Sequence, residues 1–226
     1  MLEIENAFSR LEDSSNKMFV VVAGNIGCGK TTLTQKLSER LKWKPLFESV
    51  DGNPFLDDFY KDMERWSYHL QVYFLTHRFN THRFIEQSHS SSVQDRSIYE
   101  DAHIFARSLY EQKKMSQREY ETYRNLYETM VEYLHPPDLM IYLRRSVPKL
   151  MERIKLRNRD CEKDIAVSYI SQLNQYYDEW FEHYDQSKCL VIDTDELDFL
   201  NNEDHFNKLV MKIHHSIDQQ DMFMLF

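Results

Sequence analysis

The segment Gly24-Asn25-Ile26-Gly27-Cys28-Gly29-Lys30-Thr31 constrains this chain more than any other feature, because it matches the pattern G-x-x-x-x-G-K-[ST]. A valine-rich apolar run at residues 18–23 precedes it, and a stretch of helical character at residues 30–41 follows it. In the order strand, glycine-rich turn and helix, backbone N–H groups and the helix N-terminus face phosphate oxygens. The segment therefore predicts a phosphate-binding loop in an α/β domain.

The glycines of the chain are concentrated in this loop. The whole chain has only four glycines, and three of them fall in this segment. Lys30 adds a full positive charge, and the Thr31 hydroxyl can ligate Mg²⁺. The loop alone predicts nucleotide binding and leaves the reaction open, because many proteins use such loops for signalling or mechanical work. The predicted nucleotide site comprises Gly24, Asn25, Ile26, Gly27, Cys28, Gly29, Lys30, Thr31 and Thr32.

The composition fits a single domain. The 226 residues are 42% hydrophobic and 14% aromatic, which is enough to bury one core without disulfides or a structural metal. We expect an N-terminal extension at residues 1–17 and one P-loop domain over residues 18–226. The formal net charge of −9 disfavours a broad binding surface for nucleic acid polymers or anionic lipid.

Several features indicate a reducing compartment. Cys28, Cys161 and Cys189 are odd in number and show neither CxxC nor metal-binding spacing. Residues 1–17 carry acidic side chains and lack the apolar run of a signal peptide. No apolar stretch is long enough to span a bilayer. We therefore expect a cytoplasmic protein without a membrane partner.

The remaining chain alternates short apolar runs with helical patterns. This alternation predicts an α/β fold with a parallel, five-stranded sheet and helices on both faces. Besides the run at 18–23, we predict strands at residues 45–47, around Val93, 139–143 and 190–192. Besides the helix at 30–41, we predict helices at residues 65–87, 101–110, 117–134, 149–157 and 204–217.

Glu48 lies just after the second predicted strand. Ligands of open parallel sheets gather at the carboxyl ends of the strands. A carboxylate there could take the proton from an attacking hydroxyl. A solvated loop glutamate is the alternative, because most glutamates are surface charges.

Four separated motifs make the chain resemble the deoxynucleoside kinase family. They are Phe47-Glu48-Ser49-Val50, Glu64-Arg65-Trp66-Ser67, Asp95-Arg96-Ser97 and Arg157-Asn158-Arg159. The resemblance covers residues 18–199. The short connection Asp51-Gly52-Asn53-Pro54-Phe55 is similar to that of the bacterial deoxyadenosine and deoxyguanosine kinases. The resemblance implies a P-loop kinase fold with an arginine-rich lid, which transfers phosphate from ATP with Mg²⁺ to the 5′-hydroxyl of a deoxyribonucleoside in nucleotide salvage.

The resemblance also implies roles around the acceptor sugar. Glu48 matches the general base of the family, although Ser49 replaces the more usual proline of that motif. Tyr60 and Glu162 match the residues that hold the sugar 3′-hydroxyl. A phenol and a carboxylate can together donate to and accept from such a hydroxyl.

The acceptor base has its own matching positions. Gln71 and Arg78 match the base-reading residues of the family, and two helical turns between them place both on one helix face. Asp101 matches the acidic partner of this arginine in the deoxycytidine and purine branch, which favours those bases over thymine. Phe105 suits stacking on the base. The alternatives are a structural ion pair and an ordinary core phenylalanine.

Phosphoryl transfer requires positive charge around the moving group. Asp95-Arg96-Ser97 resembles the family motif that gives the acidic residue a magnesium role and the arginine a role between donor phosphate and 5′-oxygen. Arg153 and Arg157 share a helix face at i,i+4 spacing, with Arg159 just beyond, and resemble the lid over ATP. The predicted catalytic set is Lys30, Glu48, Arg96, Arg157 and Arg159, with Thr31 and Asp95 as magnesium ligands.

Other aromatic and histidine residues are predicted to be structural. Tyrosines recur at helical spacing and indicate core or a subunit interface, and the resemblance implies a homodimer through such helices. Their positions are Tyr110, Tyr120, Tyr123, Tyr127 and Tyr133. The histidines between residues 69 and 89 lack metal-site spacing.

Two other functions remain open at this point. A nucleoside monophosphate kinase also combines a phosphate loop with a lid, but Glu48 would repel an acceptor that already carries phosphate. A non-catalytic nucleotide switch would not need Glu48, Gln71, Arg78 and the lid arginines together. The partners expected are therefore ATP and a small deoxynucleoside.

Overall fold

The computed structural model describes Leu11, residues 17–47, 52–159, Glu162 and residues 165–218. Within these ranges, five parallel strands form one sheet in the order β2-β3-β1-β4-β5. The strands are β1 (Phe19–Ala23), β2 (Lys44–Leu46), β3 (Ser92–Asp95), β4 (Leu139–Arg144) and β5 (Lys188–Asp193). The α/β fold with a five-stranded parallel sheet is therefore confirmed.

Helices connect the strands and cover the sheet. In chain order they are α1 (Lys30–Leu41), α2 (Leu56–Lys61), α3 (Met63–Gln87), α4 (Ile98–Glu100), a π-helical segment (Asp101–Ala106), α5 (Arg107–Glu111), α6 (Gln117–Val131), α7 (Val147–Arg157), α8 (Val167–Glu182) and α9 (Glu203–Asp218). None of the helices in the described ranges combines the length and apolar character needed to cross a bilayer.

The central strand β1 separates two halves of the core. Its side chains alternate across the sheet, as strand geometry requires. Val20 and Val22 belong to the cluster that includes residues of α1, α7 and α9. Phe19, Val21 and Ala23 belong to the cluster that includes residues of α3 and α6. All five side chains of β1 are buried, which explains why this strand reads as a continuous apolar run.

Local patterns predicted most of these elements, with α1 matching at both ends. Three helices, α2, α4 and α8, were missed. None of the six residues of α2 is buried, so this helix has no apolar face from which it could be predicted. α8 has buried residues at Ile170, Leu173, Tyr176 and Tyr177, which is a helical spacing that the sequence could have revealed.

The segment predicted as an N-terminal extension contributes at least one core residue. Leu11 is 3% exposed and belongs to the same cluster as Val20 and Val22. Its carbonyl accepts a hydrogen bond from the Trp43 indole N–H at 3.4 Å. This residue therefore packs against the domain.

Candidate active site

The carboxyl ends of the strands meet at one edge of the sheet. β1 leads into the glycine-rich loop, and β3 leads into Arg96 and Ser97. β1 lies between β3 and β4 in the sheet, while the connections of β3 and β4 run to helices on opposite sides of it. The crevice at such a point is where open parallel sheets bind ligands.

The glycine-rich loop has a backbone that side chains would block. Gly24 has a φ of +144°, and a Cβ there would lie 2.7 Å from Cys28 Sγ and 2.8 Å from the Leu143 carbonyl oxygen. Lys30 Nζ donates to the carbonyl oxygens of Gly24 at 2.9 Å and Asn25 at 3.1 Å. Burial raises the pKa of the Cys28 thiol, so this cysteine is a packed, protonated side chain.

Helix α8 supports the loop from outside. Asn25 is 1% exposed, and its Nδ2 donates to the Ile170 carbonyl at 2.9 Å and to Asn174 Oδ1 at 2.7 Å. Asn174 in turn donates to the Arg145 carbonyl at 2.8 Å. Because α8 was not predicted, Asn174 was not among the predicted site residues.

A cavity of about 420 Å³ opens over the loop and under α7. Gly27 to Thr32 line one side of it, and the three predicted lid arginines line the other. The cavity therefore joins a backbone built for phosphate oxygens with several positive charges. Its lining residues beyond the loop are Arg145, Arg153, Leu156, Arg157, Arg159, Leu197, Asp198, Phe199 and Leu200.

Six of these residues, including Leu156 on α7, were not among the predicted site residues. Arg145 directly follows β4, so its place at a strand's carboxyl end was a usable signal. Its guanidinium Nε donates to Thr194 Oγ1 at 3.0 Å. Leu197 to Leu200 lie in the connection after β5, where no motif marks them. A Cβ at Gly29 would lie 2.9 Å from the Phe199 ring, so this connection packs against the loop.

Glu162 lies with the lid arginines. Arg157 Nε donates to Glu162 Oε2 at 3.0 Å, and Arg157 Nη2 donates to Oε1 at 2.5 Å. Arg159 Nη1 lies 3.8 Å from the same Oε1. The Glu162 side chain is 10% exposed. A bidentate arginine–carboxylate pair of this kind holds Glu162 against the C-terminal end of α7.

Thr31 and Asp95 meet across the edge of the sheet. Thr31 Oγ1 donates to Asp95 Oδ2 at 2.5 Å. Asp95 is 2% exposed, and its Oδ1 has no hydrogen-bond partner among the described residues. A buried carboxylate oxygen without a donor fits a cation, because oxygen ligands suit Mg²⁺. No group of three or more His, Cys, Asp or Glu side chains in the described ranges could hold a metal alone, and Mg²⁺ in nucleotide sites takes only one or two protein ligands beside phosphate and water.

Arg96 has a strained backbone. Its φ is +67°, a left-handed conformation that costs a side-chain-bearing residue on the order of 1 kcal/mol. Its N–H donates to the Val22 carbonyl at 3.0 Å, which ties it to the central strand. Its guanidinium carbon lies 4.3 Å from the centroid of the Phe105 ring. Arg96 and Phe105, both predicted site residues, are therefore in contact.

Each of the predicted base-reading residues is buried. Gln71 and Arg78 on α3 are 5% and 4% exposed. Arg78 Nε lies 3.4 Å from Asp101 Oδ2, and Arg78 Nη1 donates to the Asp95 carbonyl at 3.4 Å. Gln71 Oε1 has no hydrogen-bond partner among the described residues. A buried amide oxygen without a donor is a position where a ligand N–H can bind.

Tyr60 and Glu48 are both predicted to act on the acceptor, but only Tyr60 lies among the described residues. Tyr60 on α2 is 50% exposed. Burial raises the pKa of Tyr169 on α8 to about 12, with Arg96 lowering it and Tyr60 adding to the rise, so Tyr169 lies within electrostatic range of both residues. Tyr169 was not predicted. Glu48, the predicted general base, lies outside the described residues.

The tyrosines predicted to be structural differ in how deeply they are buried. Tyr123 and Tyr127 on α6 are buried, whereas Tyr133 is 67% exposed. The rings of Tyr110 and Tyr120 stack with centroids 4.5 Å apart. The exposed and half-buried tyrosines are accessible for contact with a second subunit. The predicted subunit interface stays a prediction.

Comparison with known proteins adds an independent finding. The family model described as deoxynucleoside kinase matches residues 20–218. A deoxyadenosine/deoxycytidine kinase of Bacillus subtilis is 40% identical over 196 residues, covering 86% of this chain and 90% of the relative. A deoxyguanosine kinase of the same organism is 30% identical over 199 residues, covering 86% of this chain and 95% of the relative.

Solved structures agree in fold. A deoxyadenosine kinase from M. mycoides with the products dCMP and a flexible dCDP bound superposes with a TM-score of 0.77 at 30% identity, covering 88% of this chain and 100% of that one. The same enzyme with bound dATP gives a TM-score of 0.76 at 29% identity, covering 87% of this chain and 99% of that one.

Proposed function

Because the chain belongs to the deoxynucleoside kinase family and phosphorylates a deoxynucleoside at its 5′-hydroxyl, we propose that its preferred acceptors are purine deoxynucleosides, with deoxycytidine as a second acceptor. The observation that carries this preference is the buried pair of Arg78 and Asp101, with the buried Gln71 on the same helix as Arg78. A pocket lined by apolar side chains at these places would suit thymine better. Relatives named for deoxyadenosine, deoxyguanosine and deoxycytidine support the same range of bases.

The base is recognised through hydrogen bonds that the protein does not satisfy internally. Gln71 Oε1 is buried without a partner among the described residues, so an exocyclic amino group would supply its missing donor. The amide N–H₂ beside it can donate to a ring nitrogen such as adenine N7. Adenine and cytosine both present an amino group next to a ring nitrogen acceptor.

The donor is ATP, held in the cavity over the glycine-rich loop. Backbone N–H groups of the loop and Lys30 would contact the phosphates, and Arg153, Arg157 and Arg159 would close over them. We assign Mg²⁺ to Thr31 and Asp95, because Asp95 Oδ1 is buried without a described partner. When bound, the ion supplies positive charge that neutralises the donor phosphates.

Glu48 is the proposed general base, on the strength of its motif and its place after β2. It would take the proton from the 5′-hydroxyl while Arg96 balances the charge that develops on the transferred phosphoryl group. Tyr60 and Glu162 are proposed to hold the 3′-hydroxyl. For Glu162 this requires sharing its carboxylate with Arg157, whose hydrogen bonds occupy both oxygens.

We also propose a homodimer and a cytoplasmic location. The dimer is supported by the family and by the half-buried aromatic residues of α3, among which Trp66 packs on Phe55 of the preceding segment at a centroid distance of 5.8 Å. The location is supported by Cys28 and Cys189, which are both free thiols.

A transfer assay separates this function from its two alternatives. With ATP and Mg²⁺, label should pass to deoxyadenosine and not to dAMP. Glu48→Gln should lower kcat about 100-fold, within the range of general base catalysis, while Glu39→Gln, an exposed residue on α1, should not. Label on dAMP alone would indicate a monophosphate kinase, and label on neither acceptor would indicate a nucleotide switch.

A further inference from the structure

Glu100 is a fully buried carboxylate that the mechanism above does not use. Four donors surround its two oxygens. Oε1 accepts from the Gly24 N–H at 3.3 Å and the Tyr177 hydroxyl at 2.8 Å. Oε2 accepts from the Ser97 N–H at 2.8 Å and the Ser97 hydroxyl at 3.2 Å. All four partners donate, which is the pattern that an ionised carboxylate satisfies.

These donors belong to three separate parts of the active site. Gly24 begins the phosphate loop, Ser97 directly follows Arg96, and Tyr177 lies on α8. One carboxylate thus links the loop that binds the donor phosphates to the segment that carries Arg96. The Asp95-Arg96-Ser97 segment and the loop also meet through Thr31 and Asp95.

The hydrogen bonds from Ser97 to Glu100 also bear on the strained backbone of Arg96. A left-handed residue such as Arg96 persists only when the structure on both sides holds it. On one side its own N–H bonds to the Val22 carbonyl. On the other side Glu100 holds the N–H and hydroxyl of Ser97. The carboxylate is therefore part of what keeps the Arg96 backbone in its unusual conformation.

An ordinary helix cap does not explain this arrangement. Ser97 and Glu100 form a capping-box pair at the start of α4, which many surface helices have. A cap on the surface needs neither burial nor contacts to other elements, and burying a carboxylate is strongly destabilising unless it is paired. Burial raises the pKa of Glu100, and the charges of Arg96 and Lys30 oppose that rise. The cost of burial is thus offset by groups of the active site itself.

We propose that Glu100 is a positioning residue for phosphoryl transfer, which holds the phosphate loop and Arg96 at a fixed separation and is itself oriented by Tyr177. The inference rests on the proposed roles of Lys30 and Arg96. In Glu100→Gln the amide keeps one acceptor oxygen and turns an N–H₂ group towards donors. Gly24 or Ser97 must then shift, and displacements near 1 Å in such sites cost on the order of 100-fold in rate.

The chain offers a matched control on α8. Tyr177→Phe removes only the hydroxyl that binds Glu100. Tyr176→Phe removes a neighbouring hydroxyl, which binds Glu111 of α5 instead. Both changes delete one tyrosine–glutamate hydrogen bond from the same helix, and Tyr177→Phe should lower Tm more, because Glu100 is buried whereas Glu111 is exposed. Their effects on turnover should differ.

The experiment measures kcat, the Kd for ATP, the KM for deoxyadenosine and Tm in each variant. We expect Glu100→Gln to lower kcat by about 10- to 100-fold and to weaken ATP binding, with a smaller change in the deoxyadenosine KM. Tyr177→Phe should lower kcat about threefold to tenfold, and Tyr176→Phe should leave it unchanged. If Glu100→Gln does not fold, the comparison of the two tyrosine variants decides.

Two results would overturn the inference. One is wild-type kcat and ATP affinity in both Glu100→Gln and Tyr177→Phe. The other is a lowered Tm with unchanged kinetics of the folded protein, which would make Glu100 structural only. Lys30→Ala tests the underlying function separately: an inactive Lys30→Ala beside fully active Glu100→Gln refutes only the inference, whereas a fully active Lys30→Ala refutes the proposed phosphate site.

Discussion

Arg78 on α3 and Asp101 at the start of the π-helical segment form an ion pair in which Arg78 Nε lies 3.4 Å from Asp101 Oδ2 and the two side chains are 4% and 5% exposed. Two charges buried this deeply must be compensated, since removal of one takes a charged partner from the other. The pair therefore links the stability of the domain to the proposed base pocket.

The two roles of this pair can be separated by single and double substitutions. Asp101→Ala alone should destabilise the protein by about 3–5 kcal/mol, because Arg78 is left buried without its carboxylate. Arg78→Met with Asp101→Ala should recover much of that loss and shift the relative kcat/KM towards thymidine. Urea unfolding and a kinetic comparison of deoxyadenosine with thymidine measure both effects. Unchanged relative kcat/KM in the double variant would show that the pair does not read the base.

Two glycines with positive φ provide a matched test of the phosphate loop. Gly24→Ala places a Cβ 2.8 Å from the Leu143 carbonyl oxygen and should cost about 3 kcal/mol with loss of ATP binding. Gly52→Ala, with a φ of +77° and no described atom within 4 Å of the new Cβ, should cost only about 1 kcal/mol. Urea midpoints and ATP titration measure the two variants. Equal costs would mean that the close approach at Gly24 is unimportant.

His103 predicts a pH-dependent stability. Burial lowers its pKa from 6.5 to about 4, with Arg124 and Arg107 adding to the shift and Glu128 opposing it. The unfolded chain binds more protons than the folded one between these values, so the stabilising contribution is complete above pH 6.5 and is lost as the pH falls to 4. The loss should reach about 3 kcal/mol.

A substitution without a titrating group isolates this contribution. His103→Phe can keep the stacking on Trp180, where the ring centroids lie 5.7 Å apart. The free energy of unfolding of this variant should fall less than that of the wild type between pH 6.5 and 4. The exposed His89→Phe should keep the wild-type slope. The same slope in His103→Phe would contradict the assignment.

Asp95 should control the magnesium requirement. Asp95→Asn removes the negative charge while keeping the shape of the side chain, so the Mg²⁺ concentration for half-maximal activity should rise about tenfold or more. Thr31→Ser retains the hydroxyl that donates to Asp95, so its Mg²⁺ concentration for half-maximal activity should rise far less. An unchanged magnesium titration in Asp95→Asn would remove this residue from the proposed ion site.

The parts of the fold that depend on local pattern could be predicted from sequence. The glycine-rich loop and α1 follow from residue spacing alone, and their predicted positions agree with the structure. α8 was missed although its buried residues repeat with helical spacing. Its residues Tyr169, Asn174 and Tyr177 were therefore missed as well, because they lie near the site only through the packing of α8 beside the loop.

Contacts between distant segments could not be predicted in the same way. The spacing of Ser97 and Glu100 indicates a helix cap, but nothing local places Gly24 and Tyr177 on the same carboxylate. These contacts join residues 76 and 77 positions apart in the chain. Such long-range geometry depends on the packing of whole elements.

A competition assay tests the central claim most directly. Deoxyadenosine, deoxyguanosine, deoxycytidine and thymidine at equal concentration compete for labelled phosphate from ATP with Mg²⁺, and the labelled 5′-monophosphates are separated and counted. We predict that a purine deoxynucleoside takes most of the label, that deoxycytidine takes less and that thymidine takes the least. Thymidine as the main product would contradict the proposed reading of the base by Gln71, Arg78 and Asp101.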